Sequence, residues 1–529
     1  MACAEHIELN PEFQKALEIM EESGQSVFIT GRAGTGKSTL LQYFRDHTRK
    51  KIAVLAPTGV AAINVRGQTI HSFFRFRPDV TPDTVGAVKP ADTNLYRQLD
   101  TIVIDEISMV RADLLDCVDM FLRRFGKFPH RPFGGIQMVF IGDLYQLPPV
   151  VKSSEKVLFE TYYQSPYFFS AHAFQEIRPL FLELEKIYRQ SDARFIEILN
   201  RIRNNTVGEE DLATLNERVI PDYTPEEGEF VVYLTTTNDV ARNINEKRLQ
   251  ELPGRERVYE GLLKGDFEEG SLPTDFYLHL KKGAQVMLLN NDTSGRWVNG
   301  TIGRVRGFAR SRSDTGEAVE VVVLELEDGG VVEVEPYTWD MFEFYYDEKE
   351  KRIASRSVGS FTQYPLRLAW AITVHKSQGL TFDQVIIDIG RGTFAHGQMY
   401  VALSRCRSLE GIILQKPILK KPILKKHILM DQAVVQFLTG YQYRLAEEEM
   451  PLAERLQLLE KACREKRPLE MVYLKASDEK SRRVIVPLEV GTMHFQDREF
   501  LGLRAFCTER GEERTFRVDR ILSLRYIEE

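Results

Sequence analysis

Short apolar runs alternate with amphipathic stretches along the first half of the chain. Runs of this kind occupy residues 26–30, 51–57, 101–106 and 137–143, and polar or turn-forming residues follow each of them. Because the runs are nearly all apolar rather than alternating, they predict strands that are buried on both faces. Helical patterns lie between them, so we predict a parallel α/β sheet.

Two further runs, residues 231–237 and 384–390, predict strands of a second α/β domain. Between them, from about 283 to 359, the sequence alternates and carries glycine-rich turns, which indicates a small inserted β-barrel. Residues 416–430 contain a near-repeat, KPILKKPILKKHILM, and a charged helical segment follows it. The last part, about 467–529, alternates again and predicts a separate, mostly β domain.

The length and composition of the chain constrain its domain number, its partners and its compartment only loosely. A chain of 529 residues is long enough for about three to five domains. Its net charge of -7 argues mildly against non-specific coating of nucleic acid but is compatible with a local basic channel. The five cysteines form no C-x-x-C pair, which predicts no zinc site and fits a reduced cytosolic compartment. With no bilayer-spanning apolar stretch and no signal-peptide pattern, we expect a cytoplasmic protein without a membrane partner.

The segment GRAGTGKS, residues 31–38, fits the phosphate-binding pattern G-x-x-x-x-G-K-[ST]. It follows a predicted strand and precedes the helical sequence STLLQYFRDH, which is the context that the pattern needs. Its glycines allow backbone N–H groups to approach phosphate oxygens, and the helix N-terminus adds a favourable dipole. Lys37 should contact the β- and γ-phosphates of ATP, and Ser38 should bind Mg²⁺. The predicted nucleotide-binding residues of this loop are Gly31, Gly34, Thr35, Gly36, Lys37, Ser38 and Thr39.

A phosphate loop needs a carboxylate at the end of a neighbouring strand, and TIVIDEISM supplies Asp105 and Glu106. Asp105 would hold Mg²⁺, and Glu106 would orient or deprotonate the attacking water. An adjacent acidic pair alone is more often a solvated turn, but the phosphate loop favours the functional interpretation. In IGDLYQLPPV, Gln146 could reach the γ-phosphate and report its loss, or the segment could be an ordinary β-turn.

Together these segments resemble the 5′-to-3′ branch of superfamily 1 helicases, most of all the petite-integration-frequency family, with RecD-like helicases more distant. FGGIQMVFIGDLYQLPPV is similar to that family's signature segment and motif III. APTGVAAINVRGQTIHSFF resembles motif Ia, AWAITVHKSQGLTFDQVIID resembles motif V, and MYVALSRCRSLEGI resembles motif VI. The shorter segments NPEFQKAL, LEKIYRQ and LTTTN resemble the Q motif, motif IV and a strand of the second motor domain.

The resemblance implies an α/β fold of two RecA-like P-loop domains with an SH3-like β-barrel insertion. The first RecA-like domain would cover 1–185, with a short inserted element at about 72–95. The second would cover 186–281 and 360–430, and the barrel would occupy 282–359.

Five residues outside the phosphate loop take nucleotide roles from the resemblance. Gln14 would read adenine. Arg189 and Arg405 would contact the γ-phosphate from the second domain, and Gln378 and Gly379 would link the nucleotide to DNA. Such cations suit a motor, because ATP then closes the two domains and hydrolysis releases them. Alone, each arginine would more often form a surface salt bridge.

The resemblance also implies that single-stranded DNA lies along both RecA-like domains and that each domain holds it through its own set of contacts. HSFFRFR interleaves aromatic residues, which can stack bases, with arginines, which can follow phosphates. A core aromatic cluster is the alternative for Phe74 and Phe76, and the aromatic run MFEFYYDEKEK in the insertion could be core or a wedge. The predicted DNA contacts are Thr58, Gly59, His71, Phe73, His375, Lys376 and Ser377.

The C-terminal segment, 467–529, resembles a WYL domain after a helical linker at 431–466. The resemblance rests on RRVIVP and LRAFCTERGEERTFRVDRI, and the namesake tripeptide is replaced in EFLG. It implies a domain that binds nucleic acid or nucleotides through a basic groove and regulates attached domains. The candidate anion-binding residues are Arg504, Arg514, Arg517 and Arg520, each of which could instead be a solvated surface arginine.

We therefore predict an ATP-dependent DNA helicase that uses ATP and Mg²⁺ and translocates 5′ to 3′ along single-stranded DNA, with the direction resting on the resemblance. It would act as a monomer on forked or tailed duplexes in a bacterial cytoplasm, associated with the nucleoid. One alternative is a translocase that displaces proteins without opening duplex. Another is a ligand-sensing regulator whose ATPase gates the WYL domain. No acidic cluster outside the ATP site has the spacing of a two-metal nuclease.

Overall fold

The structure is a computed structural model that forms two compact units. The first comprises Met1–Leu199 and Gly208–Leu429, and the second comprises Asn200–Val207 and Met430–Glu529. The residues that the structure describes are 10–90, 92–151, 155, 159, 161–186, 188, 192–203, 207–226, 228–267, 271–292, 294–312, 318–388, 397–418, 431–475, 480–495 and 498–527. Among these residues, no helix combines the length and the apolar character needed to cross a membrane.

The first lobe of the first unit is built on a six-stranded parallel sheet. Its strands are β1 (Val27–Gly31), β2 (Ile52–Ala56), β3 (Gln68–Thr69), β4 (Thr101–Ile104), β5 (Gln137–Gly142) and β6 (Leu180–Leu184). They are arranged in the order β3-β2-β4-β5-β1-β6. Strands β1, β4 and β5 are buried along their whole length, as their uninterrupted apolar runs predicted.

Helices cover this sheet and place their apolar sides on it. The first begins after Asn10, whose side chain accepts a hydrogen bond from the N–H of Phe13, and carries proline at its start. It buries Phe13, Ala16 and Met20, at the spacing of one helical face, in the core with Phe44. The helices of this lobe are Pro11–Glu22, Lys37–His47, Gly59–Asn64, Ile70–Phe74, Thr93–Gln98, Ala112–Phe125 and His172–Ile177.

The second lobe has a four-stranded parallel sheet. Its strands are β7 (Val232–Thr235), β18 (Ala371–Thr373), β19 (Val385–Ile387) and β20 (Ile412–Leu414), in the order β18-β7-β19-β20. The predicted second α/β domain is therefore confirmed. Its helices are Glu209–Asn216, Asn238–Glu251 and Gln398–Leu403, and Ala193–Arg203 joins the two units along the chain.

A β-rich insertion separates β7 from β18 in sequence. Its largest sheet contains β11 (Gln285–Leu288), β12 (Ile302–Arg312), β13 (Ala318–Leu326), β14 (Val331–Val334) and β17 (Leu366–Leu368), in the order β14-β13-β12-β11-β17. Val286, Leu324 and Leu366 are fully buried in the core of this sheet. The smaller sheets pair β8 (Arg257–Glu260) with β10 (Tyr277–Leu280), and β9 (Leu262–Gly265) with the hairpin of β15 (Tyr337–Asp347) and β16 (Arg352–Gln363).

The aromatic run that the sequence left open lies on β15 and packs against the first lobe. The backbone N–H of Phe344 donates to Oε1 of Gln68 at 2.9 Å. The rings of Phe344 and Phe73 lie 6.1 Å apart, edge to face, and Nζ of Lys51 lies 5.1 Å from the centre of the Tyr346 ring. The run is thus a half-buried packing surface in this structure rather than the centre of a core.

The second unit contains a five-stranded antiparallel sheet. Its strands are β21 (Leu469–Leu474), β22 (Lys480–Phe495), β23 (Arg498–Cys507), β24 (Glu512–Arg517) and β25 (Ile521–Tyr526), in the order β24-β23-β22-β21-β25. Helices Gln432–Glu449 and Leu452–Glu465 precede it. Leu459 of the second helix is buried with Ile485, Leu503 and Phe516 of the sheet, so the predicted mostly β C-terminal fold is confirmed.

Candidate functional site

The phosphate loop lies between β1, which ends at Gly31, and the helix Lys37–His47. Gly36 precedes this helix with a φ of 84°, a left-handed conformation that favours glycine. A Cβ at this position would also lie 2.8 Å from Cζ of Phe13. No described side chain caps the N-terminal turn, so its N–H groups can serve phosphate oxygens.

Lys37 reaches back across the loop that precedes it. Its Nζ donates to the carbonyl oxygens of Gly31 at 2.6 Å and Arg32 at 2.9 Å. The buried Thr35 donates its Oγ1 to the same Arg32 carbonyl at 2.9 Å. Exposed residues of the first helical turn are Ser38 and Thr39. The structure therefore gathers the predicted loop residues around one ammonium group.

The helix Pro11–Glu22 and Tyr188 border the same loop. The backbone N–H of Tyr188 donates to the carbonyl of Gly34 at 2.9 Å, and Nδ2 of Asn10 donates to Oη of Tyr188 at 3.0 Å. Gln14, the predicted adenine reader, is exposed in the first turn of this helix. Sequence reasoning did not select Tyr188, although its place in LEKIYRQ was a signal. The predicted γ-phosphate contact Arg189 lies outside the described residues.

The acidic pair follows β4 directly. The N–H of Asp105 donates to the carbonyl of Leu55 at 2.9 Å, and Glu106 has a φ of 50°, which is rare for a residue other than glycine. Burial raises the pKa of both carboxyl groups, and Lys37 lowers the pKa of both. The charge of Asp105 raises the pKa of Glu106 further.

This acidic environment fits a divalent cation. Desolvated carboxylates that repel each other are stabilised by a bound ion, and Mg²⁺ prefers oxygen ligands. Asp105 and the hydroxyl of Ser38 would hold the ion. Bound Mg²⁺ would neutralise phosphate charge during hydrolysis.

Gln146, the predicted γ-phosphate sensor, is buried and lies beside Asp143. Its Nε2 donates to Oδ2 of Asp143 at 3.1 Å, and its Oε1 accepts from Nε2 of Gln378 at 2.9 Å. The charge of Asp143 in turn raises the pKa of Glu106. An amide pair therefore joins the first lobe, through Gln146, to the second lobe, through Gln378.

We expect the amide pair Gln146–Gln378 to couple DNA binding to hydrolysis. Gln146→Ala and Gln378→Ala should each reduce the stimulation of ATPase activity by single-stranded DNA about 5- to 150-fold, the usual range for coupled sites. The double variant should lose no more than either single variant, because both remove one contact. Steady-state ATPase assays with and without oligo-dT measure this. Additive losses would show that the two residues act separately.

Arg405 is 1% exposed and lies beside the loop that follows β18. Its Nε donates to the carbonyl of Val401 at 2.9 Å, and Nη1 donates to the carbonyls of Ser377 and Leu380 at 3.3 Å. Its charge lowers the pKa of Glu106. The predicted arginine finger thus binds the backbone of the loop that follows β18 and favours the charged form of Glu106.

Two contacts bring the helix Gln398–Leu403 of the second lobe onto the first. Oη of Tyr400 accepts a hydrogen bond from the N–H of Ala33, within the phosphate loop, at 3.3 Å. A Cβ on Gly397 would lie 2.3 Å from the carbonyl oxygen of Gln146, so only glycine fits there. Sequence reasoning missed Tyr400 because it selected only Arg405 from MYVALSRCRSLEGI.

The predicted DNA contacts of the first lobe differ in accessibility. Thr58 is exposed and caps the helix Gly59–Asn64, and His71 is half-buried. A Cβ on Gly59 would lie 2.2 Å from Oγ of Ser271 in the insertion, so this face of Gly59 is covered. Phe73 is 4% exposed, and its ring meets aromatic neighbours instead of solvent. The prediction that Phe73 stacks a base is therefore not supported by its position.

Phe74 and Phe76, for which the sequence left a core alternative, are also buried, at 0% and 6% exposure. Both rings pack against Phe121 of the helix Ala112–Phe125. The aromatic residues of HSFFRFR therefore form a cluster within the first lobe. Their hydrophobic spacing fits a short helix, Ile70–Phe74, that faces inward.

The second lobe presents two of its three predicted DNA contacts. His375 and Lys376 are exposed immediately after β18. Ser377 is fully buried, and its Oγ donates to the carbonyl of Val374 at 2.8 Å. In this structure the hydroxyl therefore stabilises the loop and is not accessible to a ligand. Gly379 is exposed, with a φ of 81°.

The arginines predicted to form an anion site in the C-terminal domain have acidic partners. Arg504 lies 3.1 Å from Glu489, and Arg514 lies 2.8 Å from Glu512. Arg517 lies 2.6 Å from Asp519, and Arg520 is half-buried. Neighbouring carboxylates thus compensate three of the four charges, which argues against the predicted basic groove.

Three family models match separate parts of the chain. A PIF1-like helicase model matches residues 8–212. A model of the UvrD-like helicase C-terminal domain matches 368–409. A WYL domain model matches 454–526.

Curated relatives are similar over most of the chain. The ATP-dependent DNA helicase PIF1 of Homo sapiens is 37% identical over 403 residues, which are 74% of this chain and 58% of the relative. The ATP-dependent DNA helicase Pif1 of Bdellovibrio bacteriovorus is 32% identical over 423 residues, 77% of this chain and 88% of the relative. The chain thus spans less than two thirds of the human protein's length but most of the bacterial protein's length.

Solved structures agree with this relationship. Pif1 from Bacteroides sp in complex with ADP-AlF4 is 36% identical, with a TM-score of 0.73, and the match covers 82% of this chain and 97% of that one. The unliganded form gives a TM-score of 0.72, and the form bound to ssDNA gives 0.57. By sequence and fold, the chain belongs to the PIF1-like helicase family and carries a C-terminal WYL domain.

Proposed function

We propose that this chain is an ATP-dependent DNA helicase that translocates 5′ to 3′ along single-stranded DNA and unwinds duplex or secondary structure. Arg405 carries the proposal. Its charge acts on Glu106 in the nucleotide site, while its guanidinium binds the carbonyl of Ser377, next to exposed Lys376. A change at the nucleotide would therefore pass through Arg405 to the loop that we propose to contact DNA.

The chain's own residues divide the work of hydrolysis. The phosphate loop, with Gly31, Gly34, Gly36 and Thr35, would bind the phosphates, and Lys37 would offset their charge. Glu106 would orient the attacking water, and Gln146 would sense the γ-phosphate. Further predicted contacts are Gln14 and Thr39 to the nucleotide, Arg189 and Arg405 to the γ-phosphate, and Gln378 and Gly379 between the sites.

DNA would be held by both lobes. Thr58, Gly59 and His71 would grip the strand on the first, and His375 and Lys376 on the second. Since Gly59 faces Ser271 in this structure, we infer that the insertion moves away when the strand binds. Closing and opening of the two lobes would then advance the protein along the strand.

Forked and tailed duplexes are the proposed substrates, and related structures support this choice. Bacteroides Pif1 has been solved bound to ssDNA, and a second structure describes unwinding at forked dsDNA by two coordinating Pif1 helicases. We propose a monomeric motor in the bacterial cytoplasm, associated with the nucleoid, with domain limits as predicted from the sequence. The WYL domain would assist or regulate this motor.

Unwinding of paired 5′-tailed and 3′-tailed duplexes tests the proposal. With ATP and Mg²⁺, the full chain should separate the 5′-tailed duplex and leave the 3′-tailed one largely intact. A blunt duplex of the same sequence is the control. Equal separation of both tailed substrates would contradict the direction, and separation of neither would favour a translocase that does not open duplex.

A further inference from the structure

A cavity of about 560 Å³ opens on the second lobe beside Lys376. Its walls are formed by the helix Asn238–Glu251, the end of β18, and residues of β10 and β17. Arg242 lines it from the helix, and Arg367 lines it from β17. Residues that are distant in sequence therefore meet next to the proposed DNA loop.

Three cations converge in this cavity. Enclosure by the walls and repulsion from Arg367 lower the pKa of Lys376, Arg242 lowers it further, and Asp275 raises it. Burial also lowers the pKa of the Arg367 guanidinium. Like charges held close together are unfavourable until an anion joins them. The cluster is therefore suited to bind one.

The acidic residues of the cavity compensate this charge only in part. Asp275 is the acidic neighbour that raises the pKa of both Lys376 and Arg367. Glu256 lies 2.6 Å from Nδ1 of His279, and Glu246 is exposed on the helix. At Lys376 itself, the cations Arg242 and Arg367 outnumber the one carboxylate, Asp275. Glu246 and Glu256 also line the cavity, and Asp239 lies 4.0 Å from Arg242.

The helix Asn238–Glu251 also contributes positive electrostatic potential to the cavity. It starts after Thr237, whose side chain accepts a hydrogen bond from the N–H of Val240 at 3.4 Å. Asn238 and Arg242, in its first two turns, both line the cavity. The partial positive charge of a helix N-terminus is strongest there and favours an anion.

We propose that this cavity binds a backbone phosphodiester of single-stranded DNA, with Arg242 and Arg367 as DNA contacts in addition to Lys376. The inference rests on the proposed function and extends the path of the strand across the second lobe. Guanidinium groups bind phosphate oxygens in a bidentate manner, and phosphate contacts carry no base preference. A strand held at Lys376 therefore continues over the helix and β17, whatever its sequence.

The two arginines differ in their value for a test. Arg367 donates from Nη2 to the carbonyl of Pro273, so its replacement would also disturb the insertion. The Arg242 side chain is 66% exposed and lies 4.0 Å from Asp239, so its replacement should leave the fold intact. Lys247 offers a matched control, because it is 79% exposed on the same helix, 4.0 Å from Glu251, and is not among the lining residues.

The experiment measures the affinity of the full chain for fluorescein-labelled oligo-dT over a series of NaCl concentrations, without nucleotide. Arg242→Gln should weaken binding about tenfold at low salt, the range for one lost phosphate contact. It should also reduce the slope of log affinity against log salt by about 0.7, the value for one phosphate on a single strand. Lys247→Gln, which removes the same charge, should leave the slope unchanged.

Equal slopes for Arg242→Gln and the wild type would overturn the inference, as would an equal loss in Lys247→Gln, which would indicate only a general charge effect. An oligonucleotide of mixed sequence should give the same losses, and a loss confined to one base would also contradict a phosphate contact. If the wild type itself failed to bind oligo-dT, the proposed function would fail. If it bound and only the Arg242 result failed, the proposed function would stand without this subsite.

Discussion

Replacing Lys37 with alanine should reduce ATP hydrolysis about 10²- to 10³-fold, and strand separation with it, while the chain stays folded. Lys37 supplies the ammonium group at the centre of the phosphate loop, where its charge lowers the pKa of both Asp105 and Glu106. Without it, phosphate charge would be bound next to two carboxylates and without the Lys37 ammonium group. The loss of one such group costs about 10²- to 10³-fold in turnover.

The measurement is ATPase turnover with saturating oligo-dT, together with unwinding of a 5′-tailed duplex. Lys127→Ala, which changes an exposed lysine of the same lobe, should keep full activity. Thermal unfolding of Lys37→Ala should match the wild type to within a few degrees. If the variant kept a DNA-dependent activity, this result would favour the alternative of a regulator whose ATPase gates the WYL domain. A motor that cannot hydrolyse ATP cannot separate strands.

Arg405→Lys should reduce turnover about 10³- to 10⁵-fold, the range for an arginine finger, with a smaller effect on ATP binding. Lysine keeps the positive charge but cannot present several N–H donors in one plane. The bonds from Arg405 to Val401, Ser377 and Leu380 would therefore not be reproduced. Both the stabilisation of the γ-phosphate and the link to the DNA loop should suffer.

Arg407→Lys is the matched control, since Arg407 is two positions away, 63% exposed in its side chain and 2.7 Å from Asp383. Its turnover should stay within a few-fold of the wild type. Binding of a fluorescent ATP analogue separates the effects on affinity and on turnover for both variants. A small loss in Arg405→Lys, similar to that in Arg407→Lys, would show that charge alone suffices and that the buried hydrogen bonds do not transmit the signal.

Local sequence patterns were sufficient to predict much of the candidate site. The apolar runs identified β1, β4 and β5 because buried parallel strands need no alternation. The phosphate loop and the acidic pair could be found because each follows such a strand directly. Their meeting also followed, since the carboxyl ends of parallel strands share one edge of a sheet. Gln146 and Gln378 were both selected, but only the folded chain showed that they bond to each other.

The direction in which side chains point could not be predicted from the sequence. Phe73 and Ser377 lie in segments that resemble DNA-binding motifs, yet the turn of a short helix and the fold of a loop point both inward. The arginines of the C-terminal sheet have acidic partners beside them or on the neighbouring strand, as Arg504 has Glu489. Arg242 and Arg367 meet only through packing of the second lobe against the insertion. Spacing along the chain could not reveal any of these contacts.

The central claim is that the nucleotide site and the DNA loop act through one set of contacts. The most direct measurement is the steady-state ATPase rate of the purified full chain with Mg²⁺, titrated with oligo-dT. We predict a rate that rises with the oligonucleotide and saturates, and a rise that is about 5- to 150-fold smaller in Gln378→Ala. An unchanged rate at oligo-dT concentrations that saturate binding would contradict it, because the strand would then occupy its site without reaching the nucleotide.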